Sequence, residues 1–241
     1  MPTFPIRPAA VAAALFVAGA LLAAPGAAAQ PTPPRRTPPH PTEPDPQATP
    51  RPATAAAPGQ GVAWFQARHG LPPTGAIDPA TASALRYAPA ADLRQTFRTA
   101  ADLGPEERAN ARTVIGVGKG ADIPEQSQVI ALMTAMQESK FVNYLEPVDH
   151  DSLGVFQQRP SMGWGTPEQI TDVATSARSF YGVAPFGDNP GLLQIDGWPT
   201  MPPGDVCQAV QVSAYPERYA RWEPFARDLL AQEGPTVLPI P

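Results

Sequence analysis

Two stretches of the chain hold residues whose types and spacing could do chemistry. The first closes an apolar run, Val129-Ile130-Ala131-Leu132-Met133-Thr134-Ala135-Met136-Gln137-Glu138. Val129, Leu132, Met133 and Met136 recur at i, i+3, i+4 and i+7, the period of a helix. No charge falls on any face from Val129 to Met136, and a helix that is apolar all round is a buried one. Glu138 thus leaves a buried helix at its C-terminus, nearly opposite the Val129, Leu132 and Met136 stripe. The residues on its own face, Ala131, Thr134 and Ala135, are small, which leaves room for a cleft. Partial burial and the negative end of the helix dipole both raise a carboxylic acid's pKa. A Glu that keeps its proton near neutral pH is what a general acid needs. The same pattern also describes a surface Glu paired with Lys140. Ser139 stands next to the acid and could orient it or a ligand.

The second stretch follows a turn-rich segment from Asn143 to Asp151 and reads Ser152-Leu153-Gly154-Val155-Phe156-Gln157-Gln158-Arg159-Pro160. Gly154 permits close backbone approach, and Gln157 offers donors and an acceptor. Asp149 and Asp151 are the nearest candidates for a second carboxylate facing Glu138. The alternatives are that they are solvated turn residues, or that Asp151 caps a hairpin. Trp164 sits between Gly163 and Gly165, where it could stack on a ligand or wedge its loop against the following helix. The single cysteine, Cys207, excludes an internal disulfide framework and a Cys-rich zinc site; it reads as a small buried hydrophobe. The histidines, His40, His69 and His150, are far apart, so no metal and no cofactor is expected.

The elements that must position these residues are mostly helical. Pro105 opens a helix to about Gly118, and Pro124 opens the helix that ends at Glu138. Thr166-Pro167-Glu168-Gln169 is a capping box for a helix that presents Ile170, Val173, Ala174, Ala177 and Tyr181 on one face. A long Gly- and Pro-rich loop, 182–203 with Trp198, is expected near the cleft. A helix at about 205–214 holds Val206, Cys207, Val210 and Ala214. The last, about 217–232, holds Tyr219, Trp222, Phe225 and Leu229, and Pro224 should kink or divide it. One small β-hairpin is expected near 153–158. The expected fold class is therefore mainly α, an α+β arrangement with the hairpin beside the cleft.

Composition frames the rest. Thirty-four of 241 residues are proline, about 14% against a usual ~5%. Residues 1–29 read as a secretory signal: Arg7, an apolar stretch from Ala9 to Ala24, then Ala27-Ala28-Ala29 before a cut at Gln30. The apolar stretch falls short of the ~20 residues that span a bilayer, so no stable membrane insertion is expected after cleavage. Residues 30–58 form a Pro-rich linker that cannot build a core. A net charge of −5 and the lack of a basic stripe argue against nucleic acid as a partner.

Three sets of residues resemble known families. Phe65-Gln66, His69-Gly70-Leu71, Thr74-Gly75, Asp78, Thr81 and Leu85, within 59–88, resemble the second half of the three-helix peptidoglycan-binding module; its first half is missing. Gly75 suits a turn that needs positive φ, and Asp78 can cap a helix that starts at Pro79. Glu138-Ser139-Lys140-Phe141, followed after about fifteen residues by Gly154-Val155-Phe156-Gln157, resembles the lytic transglycosylase and goose-type lysozyme branch of the lysozyme-like superfamily. The likeness covers about 105–233. Longer strings, Asp149 to Pro160 and Gly163 to Thr166, resemble secreted wall proteins of high-GC Gram-positive bacteria. Two departures stand out. Asp151-Ser152-Leu153 replaces the family's Ala before the Gly strand, and Gln211 to Pro216 replaces its Tyr-Asn-Ala-Gly segment.

The resemblance implies that Glu138 is the catalytic acid/base. It implies that Gly154, Val155, Phe156 and Gln157 wall the glycan cleft and that Tyr215 stands in for the family tyrosine near the acid. The activity implied is cleavage of the β-1,4 bond between N-acetylmuramic acid and N-acetylglucosamine, by a monomeric, extracytoplasmic, wall-associated protein whose partner is the peptidoglycan glycan strand. Two alternatives stay open. One is a non-catalytic wall-binding protein with the same cleft. The other is an exported structural protein that docks on a larger hydrolase.

Overall fold

Local signals account for most element boundaries. The computed structural model describes residues 59–147 and 149–241; the signal and linker expected over 1–58 lie outside the described residues. Helix α1 spans Gln60–Arg68 and α2 spans Pro79–Arg86. Asp78 accepts the Thr81 amide at 2.7 Å and Pro79 fills the first turn, so side-chain cap and fixed φ start α2 together. Between the two helices the buried Gln66 side chain acts as a staple. Its Nε2 donates to the Ala76 carbonyl at 2.8 Å, and its Oε1 accepts from the Gly75 amide at 2.8 Å. Gly75 has φ +76°, as its turn requires. Helix α3, Ala90–Thr96, follows.

Helices α4 (Pro105–Gly120) and α5 (Glu125–Glu138) carry the core. Every residue of α5 from Ser127 to Met136 is buried, because α4, α7 (Val173–Tyr181), α8 (Pro203–Gln211) and α9 (Glu223–Glu233) all pack on it. A charge-free decapeptide is the sequence such a position demands. The face that carries Ala131, Thr134 and Ala135 is fully buried as well. The room beside those small residues is filled by neighbouring helices, including Cys207 of α8, whose Sγ lies 3.6 Å from the Ile130 carbonyl oxygen. Open space begins only at the helix end.

Helices α1 to α3 join the same hydrophobic core, through Val62, Phe65, Leu85 and Leu93, and all described residues lie in one compact unit. Polar ties reinforce the join: the Ala100 amide donates to Asp228 Oδ2 and Arg108 donates to the Ala100 carbonyl, each at 2.9 Å.

Two expectations change. First, the hairpin near 153–158 is a single antiparallel bridge, Leu153 to Gln158, and the described residues contain no strand. Gly154 and Gln157 both take positive φ, +69° and +51°, so the segment closes as a tight turn before a ladder can extend. Second, the helix expected from the Thr166 capping box is two. The box forms and opens α6 (Pro167–Thr171), but Asp172 turns extended and caps α7 by accepting the Thr175 amide at 2.8 Å. The last helix is divided, one of the two outcomes expected from Pro224. Two short 3₁₀ turns, Pro216–Arg218 and Ala220–Trp222, precede α9, and Pro224 occupies its first turn.

Candidate functional site

A cleft of about 720 Å³ opens at the C-terminus of α5, within the size range of ligand sites. Its walls come from two parts of the chain. One is the end of α5 with the loops at 142–157 and 213–221. The other is α2 and the start of α3, including Leu85, Arg86, Tyr87 and Leu93. The segment that resembles half of a binding module is thus a wall of the cleft that holds Glu138. Arg86 ties the two parts at the rim, with Nη2 3.1 Å from Asp149 Oδ2.

Glu138 lines this cleft. The turn that ends α5 is sharp: Ser139 closes on the Ala135 carbonyl, and Lys140 and Phe141 both adopt left-handed backbone, φ +60° and +65°. Consecutive non-glycine residues at positive φ are strained, and surrounding contacts must hold them. Phe141 is fully buried, and its carbonyl accepts from Asn110 Nδ2 at 2.8 Å. Ser139 is buried too. Its hydroxyl donates to the Val155 carbonyl at 2.7 Å, which links the acid's helix to the 153–158 turn.

The Glu138 carboxylate accepts a short hydrogen bond from the Tyr219 hydroxyl. Burial raises the Glu138 pKa above the ordinary carboxylate range; the hydrogen bonds from Tyr219 and Gln211, then the charges of Lys140 and Arg86, oppose the rise. Gln211, at the end of α8, also donates to the Phe156 carbonyl at 2.7 Å, so one side chain serves both the acid and the turn. Lys140 makes no ion pair with Glu138. Its ammonium donates to the Gln137 carbonyl at 3.0 Å and lies 5.7 Å from the centre of the Trp222 ring. Burial pushes the Lys140 pKa down to about 8, with Glu138 pulling the other way.

The other residues singled out from the sequence divide sharply. Ser139, Asp149, Gln157 and Tyr215 line the cleft with Glu138. Val155 and Phe156 are fully buried, and Phe156 stacks on Phe180 with centroids 4.6 Å apart. They belong to the core, not the cleft wall, because an apolar pair in a tight turn is drawn under α7. Gly154 is buried against α6: a Cβ there would meet the Ile170 carbonyl oxygen at 2.4 Å. Its small size serves that contact, not a ligand. Trp164 is buried and wedges its loop beside α7, where its carbonyl accepts from the Ser179 hydroxyl at 3.5 Å. The 182–203 loop with Trp198 is also absent from the cleft lining.

Asp151 is turned away from the cleft. It pairs with Arg159 Nε at 2.6 Å and accepts the Ser161 amide at 2.7 Å. Hydrogen bonds from Ser161, then from Arg159, hold its carboxyl well below the usual range. Tyr215 is half-exposed on the cleft wall under Arg218, whose guanidinium carbon lies 3.7 Å from its ring centre. The tyrosine at the acid is Tyr219 instead, a fully buried residue that the periodic pattern places among core positions. Nothing in its sequence neighbourhood separates it from Trp222 or Phe225; only the 3₁₀ turns around it aim its hydroxyl at Glu138.

Two more tyrosines, neither singled out from the sequence, line the cleft: Tyr87, 81% exposed, and the half-buried Tyr144. Cys207 is buried with its thiol pushed up to about 12 by burial, which leaves it inert as a nucleophile. Among the described residues no cluster of His, Cys, Asp or Glu could hold a metal ion, and no helix is long and apolar enough to cross a membrane. No family model and no curated protein matches the chain.

Proposed function

We propose that the protein is an exported, peptidoglycan-cleaving enzyme of lysozyme-like type, with Glu138 as its acid. The observation that carries this reading is one buried-side carboxyl, raised in pKa by burial and steered by the Tyr219 hydroxyl, set in a cleft large enough for sugar rings. Tyr87 and Tyr215 present exposed rings to that cleft. Rings with an apolar face and a polar tip suit pyranose rings, which pair apolar C–H faces with hydroxyl edges. Gln157 adds amide donors and an acceptor at the same wall.

In the proposed reaction, protonated Glu138 gives its proton to the bridging oxygen as the glycosidic bond breaks. The substrate's own acetamido oxygen stabilises the positive charge on the anomeric carbon. The 6-hydroxyl of the same sugar then attacks that carbon and returns a proton to Glu138, so the acid ends as it began and the product is an anhydro sugar. Tyr219 stabilises the carboxylate that exists between the two transfers. The likeness of residues 105–233 to the transglycosylase branch and of 59–88 to half of a wall-binding module supports the same substrate, as does the expected signal over 1–29.

The test is digestion of purified wall sacculi followed by mass spectrometry of the soluble products. The wild-type chain is expected to release muropeptides with anhydro ends, lighter by one water than hydrolytic products. Glu138→Gln is expected to fold normally and release none. Undiminished release by the variant refutes the assignment. Retained binding to sacculi by wild type with no new chain ends supports the binding-only alternative.

A further inference from the structure

The chain is acidic, at net −5, yet its cleft is not. Six charged side chains line it: Arg86, Lys140, Arg218 and Arg221 against Glu138 and Asp149. Both acids have a partner, since Asp149 pairs with Arg86 and Glu138 is bound by Tyr219. Lys140 is buried against Gln137 and Trp222. That leaves Arg218 and Arg221 on one wall with no lining acid to neutralise them. The nearest carboxylate to Arg218, Glu217 at 3.7 Å, has a side chain 70% exposed and does not line the cleft.

Both guanidiniums are held in place. Arg218 sits over the Tyr215 ring, its guanidinium carbon 3.7 Å from the ring centre, and a guanidinium placed over an aromatic face can still use its edge for in-plane hydrogen bonds. Arg221 fixes its Nε on the Arg218 carbonyl at 2.8 Å, which leaves its terminal nitrogens to point elsewhere. Burial, and then the charges of Arg218 and Arg94, disfavour the Arg221 cation despite Glu217. An arriving anion would relieve that repulsion. A forked, pre-aimed guanidinium in partly dry surroundings suits a carboxylate.

We infer that Arg218 and Arg221, with Tyr215 beneath, form a carboxylate subsite, so that the cleft selects glycan strands bearing acidic substituents over neutral ones of the same backbone. This rests on the glycan reading above. It adds that the peptide or lactyl carboxylates of a wall strand, not its sugars alone, are recognised.

Calorimetric titration of the full chain carrying Glu138→Gln, which prevents cutting, tests it with three probes. These are a neutral chitohexaose, a GlcNAc–MurNAc strand of equal length with free carboxylates, and that strand with its carboxyls amidated. The acidic strand is expected to bind about tenfold or more tighter than the amidated one, the size of a charge-assisted hydrogen bond, and the gap should narrow in high salt. Arg218→Gln and Arg221→Gln should each abolish most of the difference between the acidic and the amidated strand. Both residues are partly exposed, so the fold should tolerate the change, and circular dichroism checks it. Equal binding of the acidic and amidated strands overturns the subsite while the glycan reading stands. Failure of all three probes to bind overturns both.

Discussion

The bond between Tyr219 and Glu138 gives the sharpest test of how the site sets its acid. Tyr219→Phe removes one oxygen and leaves the buried ring in the core. Burial favours the neutral acid, whereas the hydroxyl of Tyr219, the amide of Gln211 and the charges of Lys140 and Arg86 favour the carboxylate. Deleting the hydroxyl removes the largest of the opposing influences. A hydrogen bond to a charged group contributes about 1.5–3 kcal/mol, and each ~1.4 kcal/mol is tenfold in an equilibrium. The ionisation constant of Glu138 should therefore fall by about one to two orders of magnitude, moving its titration further up from the ordinary Glu range. The assay is a pH titration of carboxyl carbons in selectively ¹³C-labelled protein, with Glu138→Gln to assign the signal. On sacculi, the alkaline limb of the activity profile should move in the same direction, and turnover near neutral pH should drop, because the carboxylate between the two proton transfers loses its support. A Glu138 signal that titrates at the same pH or lower in Tyr219→Phe refutes the reasoning, since the hydroxyl would then not be bonding the carboxylate.

Two further outcomes follow from the same contacts. Because burial raises the Glu138 pKa in the folded state, the protonated acid is favoured there. The stability this contributes is complete below the ordinary Glu range and is lost as pH rises through the raised value. Glu138→Gln should thus melt higher than wild type at about pH 7 and converge with it near pH 4; the Lys140 attraction it gives up ranks below burial among the influences on the acid. Gly154→Ala combines a left-handed backbone, φ +69°, with a Cβ 2.4 Å from the Ile170 carbonyl oxygen. It should lower the unfolding free energy by about 2–5 kcal/mol, read from urea unfolding, whereas a change under 1 kcal/mol would mean that the 153–158 turn relaxes freely.

What could be read from the sequence was what neighbours in sequence decide. The Asp78–Pro79 start of α2, the Thr166–Gln169 box and the buried character of α5 depend on residues a few places apart, and each stands in the structure. The split at Asp172 was hidden because the apolar stripe runs on through it; the stripe reports which face is buried, not whether the backbone stays helical. The site resisted for a different reason. Tyr219 meets Glu138 across a separation of 81 residues, and its pattern of spacing with Trp222 and Phe225 is that of any core aromatic. Resemblance alone assigns Val155 and Phe156 to the cleft, although an adjacent apolar pair in a glycine turn is as well suited to a core, where Phe180 receives one of them.

The number of carboxylates available bears directly on the chemistry proposed. Hydrolysis by the two-carboxylate route needs a second, ionised and unencumbered acid facing the first across the sugar. Asp151 is spent on Arg159 and Ser161, away from the cleft. Asp149 lines it, but its side chain is 61% exposed and paired with Arg86 of α2. To activate a water it would have to loosen its ion pair with Arg86 at the cleft rim. The groups around Glu138 act on one acid alone: Tyr219 and Gln211 bind it, and Lys140 biases it from a distance. A site arranged this way favours a reaction in which the same carboxyl gives and takes the proton and the nucleophile comes from the substrate. It also gives α2 and the start of α3 a place in the proposed site, since Leu85, Arg86, Tyr87 and Leu93 belong to one of the two walls of the cleft.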